Sequence, residues 1–131
     1  MLKTTILKSK ISYYRKEKDW SRYSSYLVKY LDDKIKNPAY KPSVFELNNA
    51  SFEVFKYDKN PNDLKIALSW MNLAYKINPP DIAMKDTKAN LLYKLKRISD
   101  AIEIEKQIVA ENSGFQITLE KMEKGLPTWI N

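Results

Sequence analysis

The chain has 131 residues, enough for one domain with a modest core. Its 44% hydrophobic and 30% charged residues fall in the globular range and not the disordered one. It has no cysteine and no histidine, which excludes disulfides, thiolate nucleophiles, serine–histidine triads and the usual zinc ligand sets.

The charge is unevenly spread. Residues 1–41 hold 11 Lys and Arg against 4 Asp and Glu, so the whole net charge of +7 resides there. Only two glycines occur, which disfavours tight β-turns and favours helices. No segment alternates with period two over a useful length, so no sheet is expected.

Leu7, Ile11 and Tyr14 set a first helix to about Lys16. After a turn at Glu17-Lys18, Asp19 caps a second helix whose apolar stripe is Trp20, Tyr23, Leu27, Tyr30 and Leu31. Pro42 and Ser43, with Glu46 three residues on, form a capping-box pattern for a helix to about Tyr57. Val44, Leu47, Ala50 and Val54 line one side of that helix, and Phe45, Phe52 and Phe55 add bulk on others.

Beyond the loop "DKNPND", the segment "DLKIALSWMNLAYKINPP" carries two stripes. Leu64, Ala67, Leu68, Met71, Ala74 and Tyr75 form one; Ile66, Trp70, Leu73 and Ile77 form the other. A helix apolar on two faces packs between neighbours. Asn62 or Asp63 is expected to cap it, and Asn78-Pro79-Pro80 to stop it.

A further helix runs from Asp81 to Leu95 through Ile82, Ala89, Leu92 and Leu95, followed by a turn at Lys96-Arg97. Its partner spans about Ser99 to Asn112, with Ala101, Ile102, Ile108 and Val109 inward. Gly114 suits a left-handed cap. A short helix through Phe115, Leu119 and Met122 ends at Gly125, and the tail "LPTWIN" is expected to fold back through Trp129. The sum is one domain of three helical hairpins, over residues 2–36, 43–77 and 81–112, with a cap helix over 115–124.

The chain also repeats itself. Ala67 to Ala101 is a step of 34 residues, and Ala50 to Ala89 a step of 39, the excess lying in the "YDKNPND" loop. A 34-residue helix–turn–helix period resembles tetratricopeptide repeats, in which small residues let helices approach and a proline ends each unit. Ala67, Met71, Ala74 and Pro79 match that pattern, and so do Ala89, Leu92 and Ala101. Glu105 stands where a bulky apolar residue is usual and Lys96 where a turn glycine is usual, departures that suit a terminal repeat with a wetter face. Tyr23 occupies a small-residue position in the first hairpin. The resemblance implies an all-α fold, a right-handed α-α superhelix of about three TPR-like helical hairpins plus a C-terminal capping helix.

A second resemblance covers about residues 46–110. "ELNNASFEVF", "LKIALSWMNLAYKINPP" and "DTKANLLYKLKRISDAIEIEKQIV" look like the helical C-terminal region of certain exported bacterial thioredoxin-family proteins. The residues that carry it include Leu47, Asn48, Ala50, Trp70, Asp86, Thr87, Leu91, Tyr93, Lys94 and Ala101. In that family a redox domain with two cysteines lies upstream. This chain has no cysteine, so what the resemblance implies is a helical-repeat appendage without redox activity. It also implies a periplasmic location for a longer exported chain; otherwise a cytoplasmic one is expected, since the start "MLKTTILKSKISYYRK" lacks the apolar core of a secretory signal. No apolar run approaches the roughly 18 residues of a membrane span.

In tetratricopeptide-like solenoids the first helices of successive hairpins line a groove for peptides. Here that groove would present Lys8, Ser12 and Arg15, then Leu47 and Ser51, then Asp86, Asn90 and Tyr93, with Lys85 and Lys88 as substitutes for a carboxylate clamp. The expected role is non-catalytic protein–protein interaction or scaffolding, with a protein or peptide partner. The plainer account is that Asp86 favours the positive helix start and Asn90 is solvated surface.

The alternative is a basic helical module in which residues 1–41 bind nucleic acid, with Tyr13, Tyr14, Tyr23, Tyr26 and Tyr30 stacking on bases. Tyr23 and Tyr30 share a stripe with Trp20 and Leu27, however, and so read as core. Asp32 with Asp33, and Glu103 with Glu105, read as exposed pairs lacking a pocket or a partner base, so no catalysis, cofactor or metal is expected.

Overall fold

A computed structural model describes residues 2–129, which form seven α-helices and one 3₁₀ turn, with no strand among them. The helices are α1 (Leu2–Lys16), α2 (Trp20–Ile35), α3 (Val44–Tyr57), α4 (Pro61–Ile77), α5 (Ile82–Lys94), α6 (Ile98–Glu111) and α7 (Gln116–Glu123), and the 3₁₀ turn is Ser113–Phe115. None is long and apolar enough to cross a membrane.

Side-chain caps fix most helix starts, because the first N–H groups of a helix have no partner within it. Asp19 accepts from the Arg22 N–H, Ser43 from Glu46 and Asp81 from Met84. At α4 the cap is Asn60, not Asn62 or Asp63: Pro61 takes the first helical position, where its missing N–H costs nothing, and Asn60 accepts from Asn62. Gly114 is not left-handed; it sits in the 3₁₀ turn, and the Asn112 side chain accepts from its N–H. The left-handed glycine is Gly125, at φ 71°, which lets the Leu126 N–H reach back to the Lys121 carbonyl. Lys18 and Lys96 take the same region, at φ 57° and 68°, in the turns of the first and third hairpins.

The alanines stand where close packing demands them. Ala67, Ala74, Ala89 and Ala101 are all buried. The Ser51 hydroxyl donates to the Ala67 carbonyl at 3.2 Å across the α3–α4 contact, which a larger side chain at Ala67 would force apart. One core joins Val28 and Leu31 of α2, Leu47, Val54 and Phe55 of α3, Leu64, Trp70 and Met71 of α4, and Met84 and Leu91 of α5. A smaller cluster of Ala89, Leu92, Tyr93, Ala101 and Met122 holds α5, α6 and α7 together.

The second and third hairpins stack, α5 lying on both α3 and α4. The first is joined differently. α2 packs on α3 and α4, while α1 packs on α2 and on no other element to a comparable extent. The α1–α2 seam is polar and aromatic: Tyr14 stacks on Tyr26, Lys3 pairs with Asp33, and Arg15 donates to the Tyr23 hydroxyl.

Glu105 is the main departure within the core. A glutamate at this position reads as the wet face of a last repeat, yet it is fully buried. It lies against Asp86 of α5, and among the described residues no donor outside this pair reaches either of its oxygens or Asp86 Oδ1. Burial, with Asp86 as second cause, pushes its pKa up to about 9, so near neutral pH Glu105 keeps its proton and shares it with Asp86.

Candidate functional site

The eight residues expected to line one groove do not come together. Lys8 and Ser12 are exposed on α1, beside a shallow depression shared with Ser9, Tyr13 and Lys16. Arg15 is turned to Tyr23, 2.8 Å from its hydroxyl, and Tyr23 in turn donates to the Glu53 carboxylate, tying α1 to α2 and α3. Leu47 and Ser51 are buried between α3 and its neighbours. Asn90 is buried too; its amide donates to the Asp86 carbonyl at 2.9 Å, so it is not solvated surface. Asp86 is half-buried against Glu105. α5 lies on α3, as adjacent first helices of successive hairpins should, but the chain's own tail covers Tyr93.

That tail marks a different site. Gly125 reverses the chain, and Tyr93 donates to the Leu126 carbonyl at 2.7 Å. Trp129 then packs edge-on to Phe55 and tilted to Tyr93, both at 6.3 Å between ring centres, fulfilling the expected fold-back; Ile130 and Asn131 lie outside the described residues. Lys94 lies between the Phe55 and Trp129 rings, 5.5 and 4.9 Å from their centres, and its ammonium donates to the Phe55 carbonyl at 2.6 Å. Phe55 is in the last turn of α3, where carbonyls lack helical partners, so α5 supplies the cation that α3 needs there. Burial lowers the Lys94 pKa to about 8, against the pull of Asp58.

Clefts open on both sides of Trp129. One, of about 650 Å³, has an apolar floor of Pro61, Leu64, Tyr93, Leu95 and Ile98 and a rim of Lys59, Lys65, Lys94 and Lys96. The other, of about 600 Å³, is lined by Trp20, Ser21, Lys56 and Tyr57 together with Lys59, Lys94 and Trp129. Among the described residues, no carboxylate lines either. By contrast, the depression between α4, α5 and α6 mixes Lys88 and Arg97 with Asp100 and Glu103, and Arg97 is already paired with Asp100.

The sequence held a faint signal for this site. Lysine alternates with apolar residues in "YKLK" at the end of α5, and a tryptophan follows a left-handed glycine. Neither points to the other without the fold.

The basic first third spends much of its charge on itself. Lys10 and Lys29 lie over Tyr26, Lys34 over Tyr30 and Tyr40, and Arg22 over Tyr14. Tyr23 is buried. These rings are occupied by lysines, arginines and one another. No protein-family model, curated protein or solved structure matches the chain.

Proposed function

We propose that this chain is a non-catalytic protein-interaction module, a TPR-like helical scaffold that holds an acidic, extended peptide segment in the lysine-rimmed cleft beside Trp129. The observation that carries it is the lining: four lysines around an apolar floor, with no acid among the described lining residues. Such a surface suits a ligand with carboxylates at its edge and an apolar anchor at its centre. The tail supplies a precedent, since Tyr93 already holds an extended backbone there by its carbonyl. Residues 46–110, through their resemblance to the helical region of exported thioredoxin-family proteins, suggest an appendage to a larger chain as the setting.

The test is fluorescence anisotropy with a labelled peptide of Asp and Glu residues around a single leucine. Lys59 and Lys65 are exposed, so Lys59→Glu with Lys65→Glu leaves the fold intact and is expected to weaken binding by about tenfold, because two rim charges are reversed. Equal affinity for both forms, or equal affinity for a peptide with Lys in place of its acids, refutes the assignment.

A further inference from the structure

α3 and α5 are equivalent helices, 39 residues apart, and one face of each should meet the first helix of the hairpin before it. On α5 that face is covered: Met84 is 3% exposed and Leu91 0%, both in the core shared with α3 and α4. Thr87, between them, is buried as well. The α3 counterparts are Phe45, Asn48 and Phe52. Phe45 is 77% exposed and Phe52 36%. The reason is the attachment of the first hairpin: α1 packs on α2, and among the described residues it makes no comparable contact with α3. Asn48 keeps a buried carbonyl oxygen with no donor on this same face.

We infer that this vacant stacking position on α3, floored by Phe45 and Phe52, docks an amphipathic α-helix of a protein partner with acidic residues bordering its apolar stripe. The shape of the occupant follows from the repeat, because the equivalent place on α5 is filled by a helix, α3 itself. Its charge follows from the border. Lys56 lies over the Phe52 ring, while the carboxylates of α3, Glu46 and Glu53, are turned to the hydroxyls of Tyr40 and Tyr23. The surface is separate from the tail cleft but adjoins it through the Phe52–Phe55 and Phe55–Trp129 ring contacts.

The probe is a labelled amphipathic helical peptide of Leu, Ala and Glu, with its Lys-for-Glu counterpart as control, titrated against the full chain. Phe45→Ser with Phe52→Ser is expected to weaken the Glu peptide by about tenfold or more. Lys56→Glu should weaken the Glu peptide and strengthen the Lys one. Lys59→Glu with Lys65→Glu should leave the helix affinity unchanged, which separates this surface from the cleft. An unchanged circular dichroism spectrum and urea midpoint establish that the serine variant is folded. Absence of binding to the wild type, or equal binding by wild type and serine variant, overturns the inference. So does a sedimenting dimer of the wild type that the serine variant dissolves, since the occupant is then a second copy of the chain.

Discussion

Glu105→Gln should stabilise the protein near neutral pH and do nothing in acid. Folded, the Glu105 carboxyl holds its proton up to about pH 9; unfolded, it releases it near its ordinary value of 4.5. Between those values the folded chain binds one more proton than the unfolded chain, so stability falls as pH rises. At about pH 7, some two and a half pH units above the unfolded value, the ceiling on this loss is about 3 kcal/mol. Allowing for relaxation of the cluster, the expected gain from glutamine is about 2 kcal/mol. Glutamine keeps the shape and still donates to Asp86, but it has no proton to lose. The assay is urea denaturation followed by circular dichroism at about pH 4 and about pH 8, reading the midpoint at constant slope. The same shift at both pH values, or a loss of stability at the higher one, would refute a buried, proton-sharing pair.

Ala67→Leu places extra methylenes where Ser51 bonds to the Ala67 carbonyl; it should cost about 2 to 3 kcal/mol, seen as a lower urea midpoint. Tyr93→Phe removes the bond to the Leu126 carbonyl and should cost about 1 kcal/mol, with the tail's release read as quenchable Trp129 fluorescence against a Trp129→Phe background. Lys94 is charged below about pH 8, so acidic-peptide affinity should fall about threefold to tenfold as pH rises through that value, and Lys94→Met should flatten the profile. The same lowered value means the unfolded chain holds more protons between about pH 8 and 10.5, so Lys94 makes stability rise with pH over that window. Lys18→Gly relieves a left-handed backbone position and should raise the thermal midpoint, by about 1 kcal/mol in stability terms.

Helix ends and close contacts were legible because their causes are local. A serine before an apolar run with a glutamate three residues on, or an alanine in a double-striped helix, has few other readings, and Ser43, Asp81, Ala67 and Ala101 behave accordingly. The placement of α1 was not legible. Its stripe of Leu7, Ile11 and Tyr14 specifies that it packs, not on which side of α2, and so the exposure of Phe45 could not be foreseen. Glu105 escaped for a similar reason. A glutamate is solvated by default, and only the burial of this one against Asp86, 19 residues back on the preceding helix, makes a protonated side chain the tolerable form. The burial of Tyr93 under the tail and of Asn90 against the Asp86 carbonyl was not legible, because such packing is something periodicity does not encode.

The single attachment of α1 also sets the sequence in which the molecule comes apart. Because the helix leans on α2 through polar and aromatic contacts and shares little of the main core, its amides should exchange with solvent deuterium well before those of α4, whose residues Ala67, Met71 and Ala74 are sealed on all sides. Peeling of this outermost strip would uncover Tyr26 and the outer side of α2 while the interior stays dry. The protein would then present a second, transient surface under mild stress, long before global melting.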